Sequence, residues 1–108
     1  MRMWMVEPKI MCRRHLLGEH VECHMLLGSI VKGKYNHSEK WSKFLSPVDL
    51  HERHDALVEE MVSRGYHHKS PLAPFPDDYT PPVGDIDYDV SLGDLLSRCV
   101  ECRERYLR

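Results

Sequence analysis

The chain has 108 residues, enough for one modest hydrophobic core, and its 42% apolar and 30% charged residues are ordinary for a soluble globular protein. No apolar run is long enough to span a membrane, so no membrane partner is expected. The net charge of −2 excludes an obviously basic nucleic-acid binder.

The charge is unevenly spread. Residues 1–46 carry eight Lys/Arg against four Asp/Glu, a net of +4, and residues 47–108 carry seven against thirteen, a net of −6. The basic half can face an anion while the acidic half faces solvent. The opening Met1-Arg2-Met3-Trp4-Met5-Val6-Glu7-Pro8 is too soon interrupted to act as a secretory leader, so an intracellular location is expected.

Residues 1–7 are expected to be extended. Pro8 can open a helix, because the first helical position needs no N–H donor, and the helix should run to about Lys32, before Gly33. Its apolar residues lie nearly all round, which predicts a central, buried helix. One stripe nevertheless carries His15, Glu19 and Glu22, with Cys12 and Cys23 beside it, and polar groups on such a helix need partners or a cleft. Residues 33–46 read as a polar loop in which Tyr35 and Trp41 sit among lysines, placed either to stack on a base or to anchor the loop. Ser46-Pro47 starts a second helix ending near Arg64, before Gly65. Residues 66–90 hold most of the prolines and read as a long wrapping loop. Ser91 and Asp94 make a capping pair for a third helix reaching about Tyr106. The expected architecture is all-α: a single compact domain, residues 1–108, of about three helices with a long central helix and irregular loops.

Cys12, Cys23, Cys99 and Cys102 read as free thiols. Cys99-Val100-Glu101-Cys102 is a C-x-x-C, but a zinc ribbon needs a second such pair, and Cys12 and Cys23 are too far apart to supply it. His20 and His24 have the i, i+4 spacing that lets imidazoles share a metal, yet the run is not H-E-x-x-H, and packing or surface histidines are expected. No metal and no cofactor is expected.

Met1-Arg2-Met3-Trp4, His15-Leu16-Leu17-Gly18-Glu19-His20-Val21-Glu22 and Leu27-Gly28-Ser29-Ile30-Val31-Lys32 together resemble the N-terminal half of the phage pyrimidine-dimer DNA glycosylases, the UV-repair endonuclease V family. The likeness resumes at Leu57-Val58-Glu59-Glu60-Met61-Val62-Ser63-Arg64-Gly65-Tyr66 and faintly from Val90 to Tyr106. The resemblance implies a glycosylase with abasic-site lyase activity, an N-terminal amine nucleophile, an acidic residue at Glu22 and an arginine at Arg2. With bulky Arg2 following, Met1 should be retained, so the amine is its own. Two helix positions that are basic and contact DNA in the family are Val21 and Met25 here, and the family's aromatic, basic tail has no counterpart in residues 1–108.

The chemistry is consistent with that implication. Attack on a sugar carbon needs an uncharged amine, and an α-amine, with an ordinary pKa of ~8 against ~10.4 for lysine, is more readily neutral. Glu22 lies about 21 Å along a helix from Pro8, and seven extended residues reach back roughly 20–25 Å. An N-terminal segment antiparallel to the helix would therefore bring the amine to Glu22, whose carboxylate can hold it and stabilise positive charge on the sugar. The plainer role for Glu22 is one side of a buried salt bridge. Arg2, Arg13, Arg14, Lys32 and Lys34 are the candidate phosphate contacts. His15 either touches a phosphate or the sugar, or is a core histidine bonded to Glu19. The expected partner is double-stranded DNA, held by weak electrostatics. The alternative is a non-catalytic binding protein on the same fold, sequestering a small nucleotide or holding a protein partner, and a third is an inert remnant.

Overall fold

In the computed structural model, which describes residues 1–108, Pro8 opens only a single 3-10 turn, Pro8–Ile10. The chain is extended at Met11 and Cys12 and turns helical again as α1, Arg13–Val31. The single helix expected from Pro8 is therefore interrupted, although neither Met11 nor Cys12 is a helix breaker. Cys12 has φ −69° and ψ 165°, and its sulfur turns into the protein toward Cys99. At the far end Gly33 takes φ +70°, a left-handed conformation that costs glycine little and ends the helix where expected.

A short helix, α2 (Glu39–Ser42), follows in the loop, capped by the Ser38 hydroxyl, which accepts from the Trp41 N–H. Pro47–Asp49 forms a second 3-10 turn leading into α3, Leu50–Ser63, and Gly65 at φ +85° closes that helix. Residues 66–87 contain no helix or strand, as the prolines required. The third helical tract starts earlier than the Ser91 cap expected: Asp87 caps α4 (Tyr88–Arg98) by accepting from the Val90 N–H. Ser91 is instead an internal, buried residue whose hydroxyl donates to the Trp4 carbonyl at 2.6 Å. This tract is also broken, at Cys99 (φ −127°, ψ 110°), before α5, Val100–Tyr106. The three expected helices are present, with two interruptions and one extra turn of helix.

One core unites these elements. Leu16, Cys23 and Leu26 of α1 are fully buried with Leu50 and Leu57 of α3, Leu95 of α4 and Cys102 of α5. Each such leucine contributes about 1.5–3 kcal/mol by leaving water. The N-terminal segment is part of this core: Met3 and Val6 are buried, and the Met3 N–H donates to the Phe44 carbonyl at 2.8 Å. The segment kinks at Met5, whose φ of +58° is unusual for a side chain with a Cβ. The result is a slab of 44 × 32 × 16 Å.

Candidate active site

The N-terminal segment returns along α1, as its length allows. Its first residue, Met1, lines a cavity of about 280 Å³ with Ser29 of α1 and Lys34, Tyr35 and Trp41 of the following loop. Ser29 lies seven residues beyond Glu22, on the same face of the helix. Burial, with a smaller contribution from Tyr79, pushes the Tyr35 phenol up to about 12, so the hydroxyl remains protonated and bonds His37 Nδ1 at 2.6 Å. Tyr35 and Trp41 are both partly buried against the core and wall this cavity, so anchoring the loop and facing a ligand are one arrangement.

Glu22 and Glu19 divide the roles considered for one residue. The buried salt bridge belongs to Glu19: Arg53 Nε donates to its Oε2 at 2.6 Å and Nη2 to its Oε1 at 3.0 Å, with both side chains almost wholly buried. Arg53 Nη1 also donates to the Val6 carbonyl at 2.7 Å, which fastens the N-terminal segment to α3. Glu22 has no such partner, and its Oε2 is buried without a hydrogen bond. The Met1 amine forms no ion pair with Glu22 or any other carboxylate and Glu22 does not line the Met1 cavity, so the structure does not bring the two expected catalytic groups into contact.

The expected anion contacts are scattered. The Arg2 guanidinium lies 3.7 Å over the Trp4 ring and is paired with Asp94 at 3.2 Å, so its charge is engaged by α4. Arg13 stacks 5.1 Å from the Tyr66 ring centre, and Arg14, Lys32 and Lys34 are exposed. Arg14, Val21, Met25 and Lys32 fall along one exposed face of α1, where Val21 and Met25 are each 52% exposed. His15 bonds neither Glu19 nor solvent alone: its Nδ1 lies 3.2 Å from Cys12 Sγ and 3.6 Å from Cys102 Sγ, and its ring meets the Trp4 ring edge-on at 5.8 Å. Burial, then the nearby Arg14 charge, lowers its pKa below the ordinary histidine value, which favours the neutral ring.

Two groupings were not visible in the sequence. Cys12, His15, Cys99 and Cys102 converge, and so do His20, His24, His54 and His68; in each set the potential ligand atoms lie within 4.8 Å of one another. Of the two roles expected for His20 and His24, packing or surface, the structure shows packing, within a group of four rings rather than a pair. His20 Nε2 is 3.1 Å from His68 Nε2, and its pKa is pushed down to about 4, first by burial and then by His54, His24 and His68 around it. The signal that was present was partial: the histidine set showed one short-range pair, His20/His24, and the cysteine set two, Cys12/His15 and Cys99/Cys102, whose meeting across 87 residues is tertiary.

A family profile described as pyrimidine dimer DNA glycosylase matches residues 1–74, which span the N-terminal segment, α1, α2, α3 and the His68 loop. The chain belongs to that family. No curated protein and no solved structure matches it. No helix is long and apolar enough to cross a membrane.

Proposed function

We propose that this protein is a DNA glycosylase with abasic-site lyase activity on duplex DNA carrying damaged or modified pyrimidines, acting inside the cell through the α-amine of Met1. The observation that carries the proposal is that Met1 lines a small aromatic-walled cavity against Ser29 of α1, two helical turns beyond Glu22, which keeps a buried, unpartnered carboxylate oxygen. Family membership supports it independently.

The neutral amine attacks C1′ of the deoxyribose. The bond from C1′ to the base breaks, and its electron pair leaves with the base, which takes up a proton. The sugar ring opens to give an imine at C1′. Loss of a C2′ proton then expels the 3′ phosphate and cuts the strand. Glu22, without a competing cation, supplies the negative charge for the cationic sugar and a site for the transferred protons. The target atoms are hidden within the duplex, so the nucleotide must be extruded, and Trp41 and Tyr35 are placed to receive it.

The test is borohydride trapping on an abasic-site duplex, with the adduct located by mass spectrometry. An adduct on Met1, abolished by acetylating the N-terminus or by adding a residue before it, is the expected result. An adduct that persists and maps to Lys34, which lines the same cavity, would refute the assignment of the amine. A second reading, a pocket that only binds a nucleotide, is favoured by the engagement of Arg2 with Asp94 and by the apolar Val21 and Met25. Absence of any adduct and of duplex binding at low salt would select it.

A further inference from the structure

We propose that Cys12, His15, Cys99 and Cys102 form a closed, tetrahedral zinc site that fastens the C-terminal helices to the start of α1. Cys12 and His15 lie within residues 1–74, which the glycosylase family profile matches, and Cys99 and Cys102 lie beyond them.

Zinc bonds of about 2.3 Å to sulfur and about 2.0 Å to nitrogen set corner-to-corner distances of roughly 3.5–3.8 Å in a tetrahedron. Cys12 Sγ and Cys99 Sγ are 3.8 Å apart and Cys102 Sγ and His15 Nδ1 3.6 Å apart, as those edges require; Cys12 Sγ and His15 Nδ1, at 3.2 Å, are somewhat closer, and all four ligand atoms lie within 4.8 Å of one another. No two of the sulfurs are bonded to each other, since all the cysteines are free. Three thiols and an imidazole are also the donor set that zinc prefers in structural sites.

The backbone points independently to the same place. Cysteine is readily buried as a small apolar residue, and burial alone asks nothing of the main chain. Here the helical tracts break at Cys12 and at Cys99, where no Gly or Pro forces a break, and both residues take extended conformations. Each break gives up helical hydrogen bonds and directs a sulfur to the same point. The N–H groups near the breaks then serve the sulfurs: the Cys12 N–H donates to Cys102 Sγ at 3.2 Å and the Cys102 N–H to Cys99 Sγ at 3.4 Å. Such N–H donors stabilise thiolates, the form in which cysteine binds a metal.

The arrangement also fixes the role. Four protein ligands leave no open position, so the ion is structural and takes no part in base excision. His15 becomes a ligand rather than a phosphate contact, and its ring, held edge-on to Trp4, helps place the N-terminal segment. The histidines at 20, 24, 54 and 68 are the competing location for a metal, and the test distinguishes the two.

Purified full-length protein, equilibrated with zinc and dialysed, is analysed for metal by mass spectrometry and by zinc X-ray absorption. The expected result is zinc held by three sulfurs at about 2.3 Å and one nitrogen at about 2.0 Å. Cobalt(II) in place of zinc should give the visible bands of a tetrahedral thiolate site. His15→Cys should retain that zinc with a fourth sulfur, and Cys99→Ser/Cys102→Ser should lose it. If the double variant fails to fold, the absorption spectrum of the wild type still decides. A metal-free wild type, or a first shell of nitrogens without sulfur, overturns the proposal.

Discussion

The Glu19–Arg53 pair gives the sharpest test of how the N-terminal segment is held. Glu19→Gln removes one charge while keeping the shape. The guanidinium would remain buried, with the Val6 carbonyl and Met11 sulfur as neutral acceptors, and the new amide would bring a donor toward a group that is itself all donors. Breaking a buried pair in this way costs about 3–5 kcal/mol, because the surviving charge is uncompensated. At roughly 4 °C per kcal/mol for a domain of this size, Tm should fall by roughly 12–20 °C. Glu19→Leu/Arg53→Met removes both charges and should be milder. Its cost comes mainly from the Val6 carbonyl left without a donor, about 1–3 kcal/mol. Urea unfolding with comparison of midpoints and m values measures both variants. The double variant should nevertheless trap imine more slowly than the wild type, since the segment carrying Met1 has lost its anchor to α3. A Glu19→Gln protein within about 1 kcal/mol of wild type, or a double variant as unstable as the single one, would refute the reasoning.

Glu22→Gln should behave oppositely to Glu19→Gln. It removes a charge that has an unpartnered buried oxygen, so stability should hold or rise, while base excision on a lesion-containing duplex falls on the order of 10²-fold. Val21→Arg/Met25→Arg places two cations on the exposed face of α1. Duplex affinity measured across salt concentrations should rise, with the log–log slope steeper by about 0.9 for each additional phosphate neutralised; an unchanged slope would show that DNA lies elsewhere. Gly84→Ala should destabilise by about 1–3 kcal/mol in thermal or urea unfolding, because the added methyl would fall on the Leu45 carbonyl oxygen and 2.6 Å from Ser46 Cβ.

What could be read from the sequence was what local patterns carry. The presence of α1, its stop at Gly33, the stop of α3 at Gly65 and the lack of helix or strand in 66–87 follow from glycine, proline and apolar spacing, which act over a few residues. The breaks at Cys12 and Cys99 could not be read this way, because their cause is a meeting of residues 87 positions apart. The same limit blurred Glu19 and Glu22. Both lie on one stripe of α1, and only the position of Arg53, in another helix, decides which is neutralised. Ser91 looked like a cap because its hydroxyl is suited to one, but tertiary structure uses that hydroxyl on Trp4. His20 and His24 announced a pair, while His54 and His68 completed the group only through packing of α3 and the loop after it.

The anchoring of the amino terminus has a consequence for biosynthesis. Arg2 is held by Asp94, the Trp4 carbonyl by Ser91, and the Cys12 N–H by the sulfur of Cys102, pairings that span 87 to 92 residues. Residues 2–12 thus leave the ribosome well before residues 91–102, which hold them, a lag of several seconds at about 5–20 residues per second. Until then the segment bearing the proposed nucleophile lacks these three partners. In a nascent chain this end of the molecule is completed only once α4 and α5 have emerged and closed over it.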